Sequence, residues 1–90
     1  MTAIKDVLAE RGARYGDFED HALIAVELKA LIRSELNKRQ KCLKPDQLHA
    51  LDVISDKIAR ILNGDPDYAD NWVDIAGYAT LVANRLEGKT

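Results

Sequence analysis

Two consecutive stretches of this chain carry polar groups of the types and spacing suited to a phosphate-bearing ligand. Lys57 and Arg60 stand near the end of one apolar-periodic segment, Asp74 and Tyr78 stand near the start of the next, and Gly64-Asp65-Pro66-Asp67 joins the two. Residues three or four apart share a helical face, so this arrangement sets a cationic pair near a carboxylate and a phenol. An ammonium and a guanidinium neutralise phosphate, and a carboxylate orients a ligand hydroxyl or base amine. Upstream, Gly12-Ala13-Arg14-Tyr15-Gly16 places another cation and another ring between glycines. It reads either as a tight turn or as a ligand-facing loop in which Arg14 binds an anion and Tyr15 stacks. The candidate ligand-binding set is therefore Arg14, Tyr15, Lys57, Arg60, Trp72, Asp74 and Tyr78, with the rings of Tyr15 and of Tyr78 or Trp72 available to a base or sugar. His21, on an apolar stripe, is either a hydrogen-bonded core residue or a further ligand or acid/base group.

Other chemistries find less support. No phosphate loop of the P-loop spacing occurs, and the lone Cys42 with His21 and His49 cannot make a zinc cluster. Ser34 and Ser55 lack the strained turn that exposes a nucleophile. A magnesium site needs several converging carboxylates, for which Asp17, Asp20, Asp70 and Asp74 are the candidates; caps and turns explain most of them more simply. No catalytic residue is assigned, and no cofactor is expected unless the chain hydrolyses nucleotides with Mg²⁺.

These groups require helices to hold them. A short first helix is expected at about Thr2 to Arg11, capped by Thr2 and stopped by Gly12. Asp17 then caps a long helix at about Phe18 to Lys38 whose core stripe is Phe18, Ala22, Ala25, Leu28, Ile32 and Leu36. The basic run from Asn37 to Lys44 reads as a solvated connection rather than a nucleic-acid patch, since no aromatic residues interleave it. A third helix is expected at about Asp46 to Asn63, with Leu48, Leu51, Ile54, Ile58, Ile61 and Leu62 inward and Asp56 paired with Arg60. A fourth, about Asn71 to Glu87, is capped by Asp70 and ended by Gly88. Its core stripe is Trp72, Ile75, Ala76, Ala79, Val82, Ala83 and Leu86, while Asp74, Tyr78, Leu81 and Arg85 form a second face for a ligand crevice, a subunit contact or both.

The fold class is therefore all-α: one domain over residues 1–90, built as an antiparallel four-helix bundle of one short and three long helices and completed by oligomerisation. Ninety residues bury a modest share of their surface alone, which favours a homo-oligomer. A net charge of -2 gives no global attraction to nucleic acid or an acidic membrane. One cysteine allows no internal disulfide, and no apolar run is long enough to span a bilayer, so the expected location is the cytoplasm.

Taken together, Arg14-Tyr15-Gly16-Asp17-Phe18-Glu19-Asp20, Lys57-Ile58-Ala59-Arg60-Ile61, Gly64-Asp65-Pro66 and Trp72-Val73-Asp74-Ile75-Ala76-Gly77-Tyr78-Ala79 resemble a family of small helical proteins encoded by phages and prophages, many of them uncharacterised. More distantly, the chain resembles the MazG-like all-alpha nucleotide pyrophosphohydrolases and a segment of a small phage nucleotide kinase. The resemblance implies a nucleotide ligand. MazG-like enzymes hold Mg²⁺ with a Glu-x-x-Glu pair and a Glu-x-x-Asp pair; of these positions this chain keeps only Asp74, and it presents Lys57 and Arg60 where carboxylates are expected. Such a site binds phosphate directly and is a poor metal cage. The leading expectation is a protein that binds a nucleotide or nucleotide-derived signal, possible roles being sequestration of a host defence signal and control of a nucleotide pool. A divergent pyrophosphohydrolase or nucleotide kinase and a non-enzymatic interaction module are the alternatives.

Overall fold

The computed structural model describes residues 3–89, which contain four helices and no strand. Helix α1 spans Ile4–Tyr15, α2 Phe18–Lys38, α3 Pro45–Asn63 and α4 Ala69–Leu86. The expected cap at Thr2 lies outside the described residues. Gly12 does not stop α1: the helix passes through it, and the break moves to Gly16, whose φ of 79° is reached easily only by glycine. An interior helical glycine costs about 1 kcal/mol against alanine, too little to end a helix by itself. Asp17 stands at the N-cap position of α2, but its side chain makes no capping bond. At the head of α3, Pro45 takes the first turn and Gln47 reaches back to accept from the Lys44 N–H at 2.9 Å. Tyr68, not Asp70, occupies the N-cap position of α4. Asp70 lies within the first turn, where the helix dipole favours its charge and where it accepts a 2.9 Å hydrogen bond from the Tyr68 hydroxyl.

Helix α3 touches each of the other three, whereas α2 and α4 do not meet. Ion pairs mark both seams. On one side Arg33 makes a two-pronged contact with Asp52, both bonds 2.9 Å, and Lys29 reaches Asp56 at 3.0 Å. On the other, Arg85 grips Asp46 at 2.7 and 2.8 Å and Lys57 meets Asp74 at 2.9 Å. Asp46 and Lys57 are as far apart along α3 as Asp74 and Arg85 are along α4, in reversed order. At about 100° per residue the two sets of α3 partners lie roughly 110° apart, so α2 and α4 flank α3 instead of closing over it.

The covered interior is small. Ala25, Ala50 and Ala59 are its buried apolar residues, with Ser55, whose hydroxyl donates to the Leu51 carbonyl at 2.7 Å, and Asn71. Several residues expected inside lie exposed instead: Phe18 at the start of α2, Leu51 and Leu62 on α3, and Trp72 and Leu86 on α4. Helix α4 is turned about its axis relative to expectation. Asn71, Asp74, Ile75, Tyr78, Val82, Asn84 and Arg85 are the partly or fully covered positions, and Ala76, Ala79 and Ala83 face solvent. The cause is electrostatic as well as apolar, because Asp74 and Arg85 find matching charges on α3 and the alanines of the other stripe bring little area to compete. The Asp56–Arg60 pair also does not form: Asp56 is taken by Lys29, and Arg60 turns to α1. No helix among the described residues is long and apolar enough to cross a membrane.

Ala59 is fully covered, so Ala59→Leu is expected to overpack its site and cost about 1–3 kcal/mol, read as a lower urea midpoint with the far-ultraviolet helix signal retained in water.

Candidate functional site

The turn between α1 and α2 is fastened to the end of α3 by backbone contact. The Asn63 side-chain amide donates to the carbonyls of Tyr15 and Asp17 at 3.0 and 2.9 Å, and the Asp65 N–H donates to the Arg14 carbonyl at 2.7 Å. Glycine is required on both sides of this junction. A Cβ on Gly16 would run into the Asn63 carbonyl, and one on Gly64 would run into the carbonyl of Arg14 and the backbone of Tyr15. The junction orients Tyr15 so that its ring points along α1 toward α3.

Against that ring lies a cavity of about 300 Å³ bounded by α1, α2 and the end of α3. Its walls include Arg11, Tyr15, Phe18, His21 and Arg60. The Arg60 guanidinium sits 4.4 Å from the Tyr15 ring centre and that of Arg11 5.3 Å, both within cation–π range. Neither has a carboxylate within ion-pair distance among the described residues, whereas Arg14, Arg33, Arg39 and Arg85 each do. On the α2 side, the rings of Phe18 and His21 stack with centres 6.3 Å apart. His21 Nδ1 is buried without a hydrogen-bond partner. Burial and the nearby Arg60 charge both hold the His21 pKa below its ordinary 6.5, with Asp56 opposing them and Lys29 adding to the lowering. The cavity wall therefore combines two guanidinium groups without ion-pair partners, a neutral imidazole and aromatic faces, with Asp17 also at its border.

Of the residues singled out from sequence, Tyr15, Arg60 and His21 meet at this cavity. Arg14 lies just outside it, paired with Glu10 at 2.8 Å and donating to the Tyr68 hydroxyl at 3.2 Å. Tyr68 in turn stands edge-on to Tyr15, and its bond to Asp70 raises its pKa above the ordinary 10.0. Lys57, Asp74 and Tyr78 form a second group on the other side of α3. The Lys57 ammonium is largely covered and bound to Asp74, the Tyr78 ring stands edge-on to His49, and Asp74 and Tyr78 border an open depression with Val73, Gly77 and Leu81. Trp72 belongs to neither group; its indole N–H donates to the Pro66 carbonyl at 2.9 Å. Asp17, Asp20, Asp70 and Asp74 do not converge, and among the described residues no three His, Cys, Asp or Glu side chains gather as metal ligands. Arg11 is the site residue that sequence reasoning passed over. Its signal was the four-residue spacing to Tyr15, which becomes a shared helical face only if the helix continues through Gly12.

These features define a small all-helical domain with a cation- and ring-lined cavity at one end. The chain belongs to the family described as Domain of unknown function (DUF6378), whose model matches residues 1–86. No curated protein and no solved structure matches it.

Gly64→Ala is expected to lift α1 from α3. Hydrogen exchange should then show faster exchange across α1 while α2–α4 stay protected; unchanged protection of α1 would count against the junction. His21 gives a separate pH signature. Because its folded pKa is depressed, the unfolded chain takes up the proton first, so the associated stability is complete above pH 6.5 and is lost as pH falls from 6.5 toward the folded value. Urea unfolding of His21→Gln between pH 7 and 5 should show a flatter pH dependence than the parent. Asp46 and Asp52, held below their ordinary 3.8 by Arg85 and Arg33, lose their contributions only at lower pH.

Proposed function

We propose that this chain is a nucleotide-binding protein of the kind phages and prophages encode, taking a nucleotide or nucleotide-derived signal into the cavity between α1, α2 and α3. One observation carries the reading: Arg11 and Arg60 are the arginines without carboxylate partners among the described residues, and both border the cavity beside the Tyr15 ring. Unpaired guanidinium groups at a concave surface favour an anion, and their planar forks match phosphate oxygens. The stacked Phe18 and His21 rings offer a face for a base. A cavity near 300 Å³ is at the small end of ligand sites, which suits a mononucleotide or one end of a larger signal molecule.

Of the three cations assigned a phosphate role from sequence, Arg60 keeps it in this reading, while Lys57 and Arg14 already have carboxylates and Arg11 takes their place. Binding is favoured over metal-assisted hydrolysis by the scattering of Asp17, Asp20, Asp70 and Asp74. The reading also takes the fold as an antiparallel helical arrangement in the cytoplasm, completed by further copies of itself, and the role as sequestration of a host defence signal or control of a nucleotide pool.

Calorimetric titration with mononucleotides and cyclic dinucleotides tests this. At least one should bind without added Mg²⁺. Arg60→Ala and Arg11→Ala should each weaken it about tenfold or more, the scale of one charge-assisted hydrogen bond. Lys57→Ala should change affinity much less. Failure of every nucleotide to bind, or parental affinity in Arg60→Ala, would overturn the proposal.

A further inference from the structure

The flanking of α3 by α2 and α4 leaves one long face of the helical layer uncovered. Around α3, Arg60 and Asn63 turn toward α1, while Leu51, Ile58 and Leu62 lie roughly 150° away at 100° per residue. Both neighbours of α3 run counter to it, as the reversed order of the ion pairs shows, so their rotation is mirrored. Leu31 on α2 and the stripe Trp72, Ala76, Ala79, Ala83 and Leu86 on α4 consequently turn to the same side as Leu51 and Leu62. Leu31, Leu62, Trp72 and Leu86 are each more than half exposed, and no charged residue interrupts the α4 stripe.

The size of the molecule shows how much surface is left open. A folded monomer of 10.0 kDa is expected to expose about 5,200 Å². This chain exposes 6626 Å², an excess of about 1,400 Å². Its radius of gyration is 15.3 Å, against about 12 Å for a compact domain of this length. Part of the excess belongs to α1, which has no buried residue. With the α1 share set aside, the remainder lies toward the low end of the roughly 1,000–2,500 Å² that each protomer contributes to an obligate homodimer.

We propose that this face is the interface with a second copy of the same chain, with Leu62 and Trp72 covered across it and the Arg11–Arg60 cavity left accessible on the opposite side. The α4 stripe is free of charge and selects no acidic or basic partner, and the charges nearest the face, Glu27 and Glu35, stand at its α2 edge one turn either side of Leu31. An isologous contact needs only that the same apolar patch meet itself about a two-fold axis. This inference stands on packing and area, and does not depend on the nucleotide reading.

Trp72 is the sole tryptophan, so its emission reports on this face alone. Light scattering should find the parent chain dimeric at micromolar concentration, with Trp72 protected from acrylamide and quenching that falls as protein concentration rises. Ala79→Glu and Leu62→Glu should give monomers, while Val26→Glu, exposed on the far side of α2, should remain dimeric. If both interface variants unfold, the parent's Trp72 decides: quenching independent of protein concentration overturns the proposal. So does a monomeric parent, a dimer that Ala79→Glu and Leu62→Glu leave intact, or a dimer broken by Ile4→Glu or Val26→Glu in their place.

Discussion

The structure depends on a backbone-to-backbone approach between the α1–α2 turn and the end of α3. There Gly16 faces Asn63 and Gly64 faces Arg14 and Tyr15, with no room for a Cβ on either glycine. The approach lets one asparagine amide pair with two carbonyls of the turn, one of them part-buried. Helix α1 buries none of its own residues, so hydrophobic burial cannot be what holds it. Hydrogen bonds at the junction and the cation–ring contacts of Tyr15 hold it instead, and the cavity exists because they do.

A division of labour along α3 follows. Its two flanks carry the charges that align α2 and α4, and its C-terminal end carries Arg60 and Asn63 for α1. Charge pairs on half-exposed surfaces contribute little stability individually, typically below about 1 kcal/mol. Their effect here is on register and rotation. Matched spacing between Asp46 and Lys57 and between Asp74 and Arg85 fixes which stripe of α4 meets α3, and so which stripe is left outward. The alanine-rich interior allows the helices to come close, but it covers too little area to enclose a core by itself.

Much of the local structure was legible in the chain. The bounds of α2 match those read from periodicity, those of α3 start one residue earlier, and both follow from strong apolar patterning with clear turn residues outside. Legibility failed where a signal has two meanings. Gly12 resembles a C-terminal stop, yet the glycine that needs a positive φ is Gly16. Asp70 resembles an N-cap, yet it sits inside the first turn and serves Tyr68. For the site, Tyr15 and Arg60 were visible as a ring and a cation, but their contact joins residues 45 positions apart and Arg11 enters only because α1 runs on to Tyr15.

By itself, then, the sequence determined the helical class, the number of helices and the types of group available to a ligand, because periodicity, caps and composition act over a few residues. The tertiary structure decided which cations are free. Lys57 looks as available as Arg60 in the linear chain, and only the meeting of α3 with α4 occupies it, whereas Arg14 has a local partner in Glu10 one helical turn back and gains Tyr68 only in the fold. It also decided which side of α4 faces out, since the choice between a polar and an alanine-rich stripe turns on charges supplied by another helix. Pairing between distant segments is a sum over partners that no local pattern contains. That sum leaves Arg11 and Arg60 beside the Tyr15 ring and leaves Trp72 on an open face.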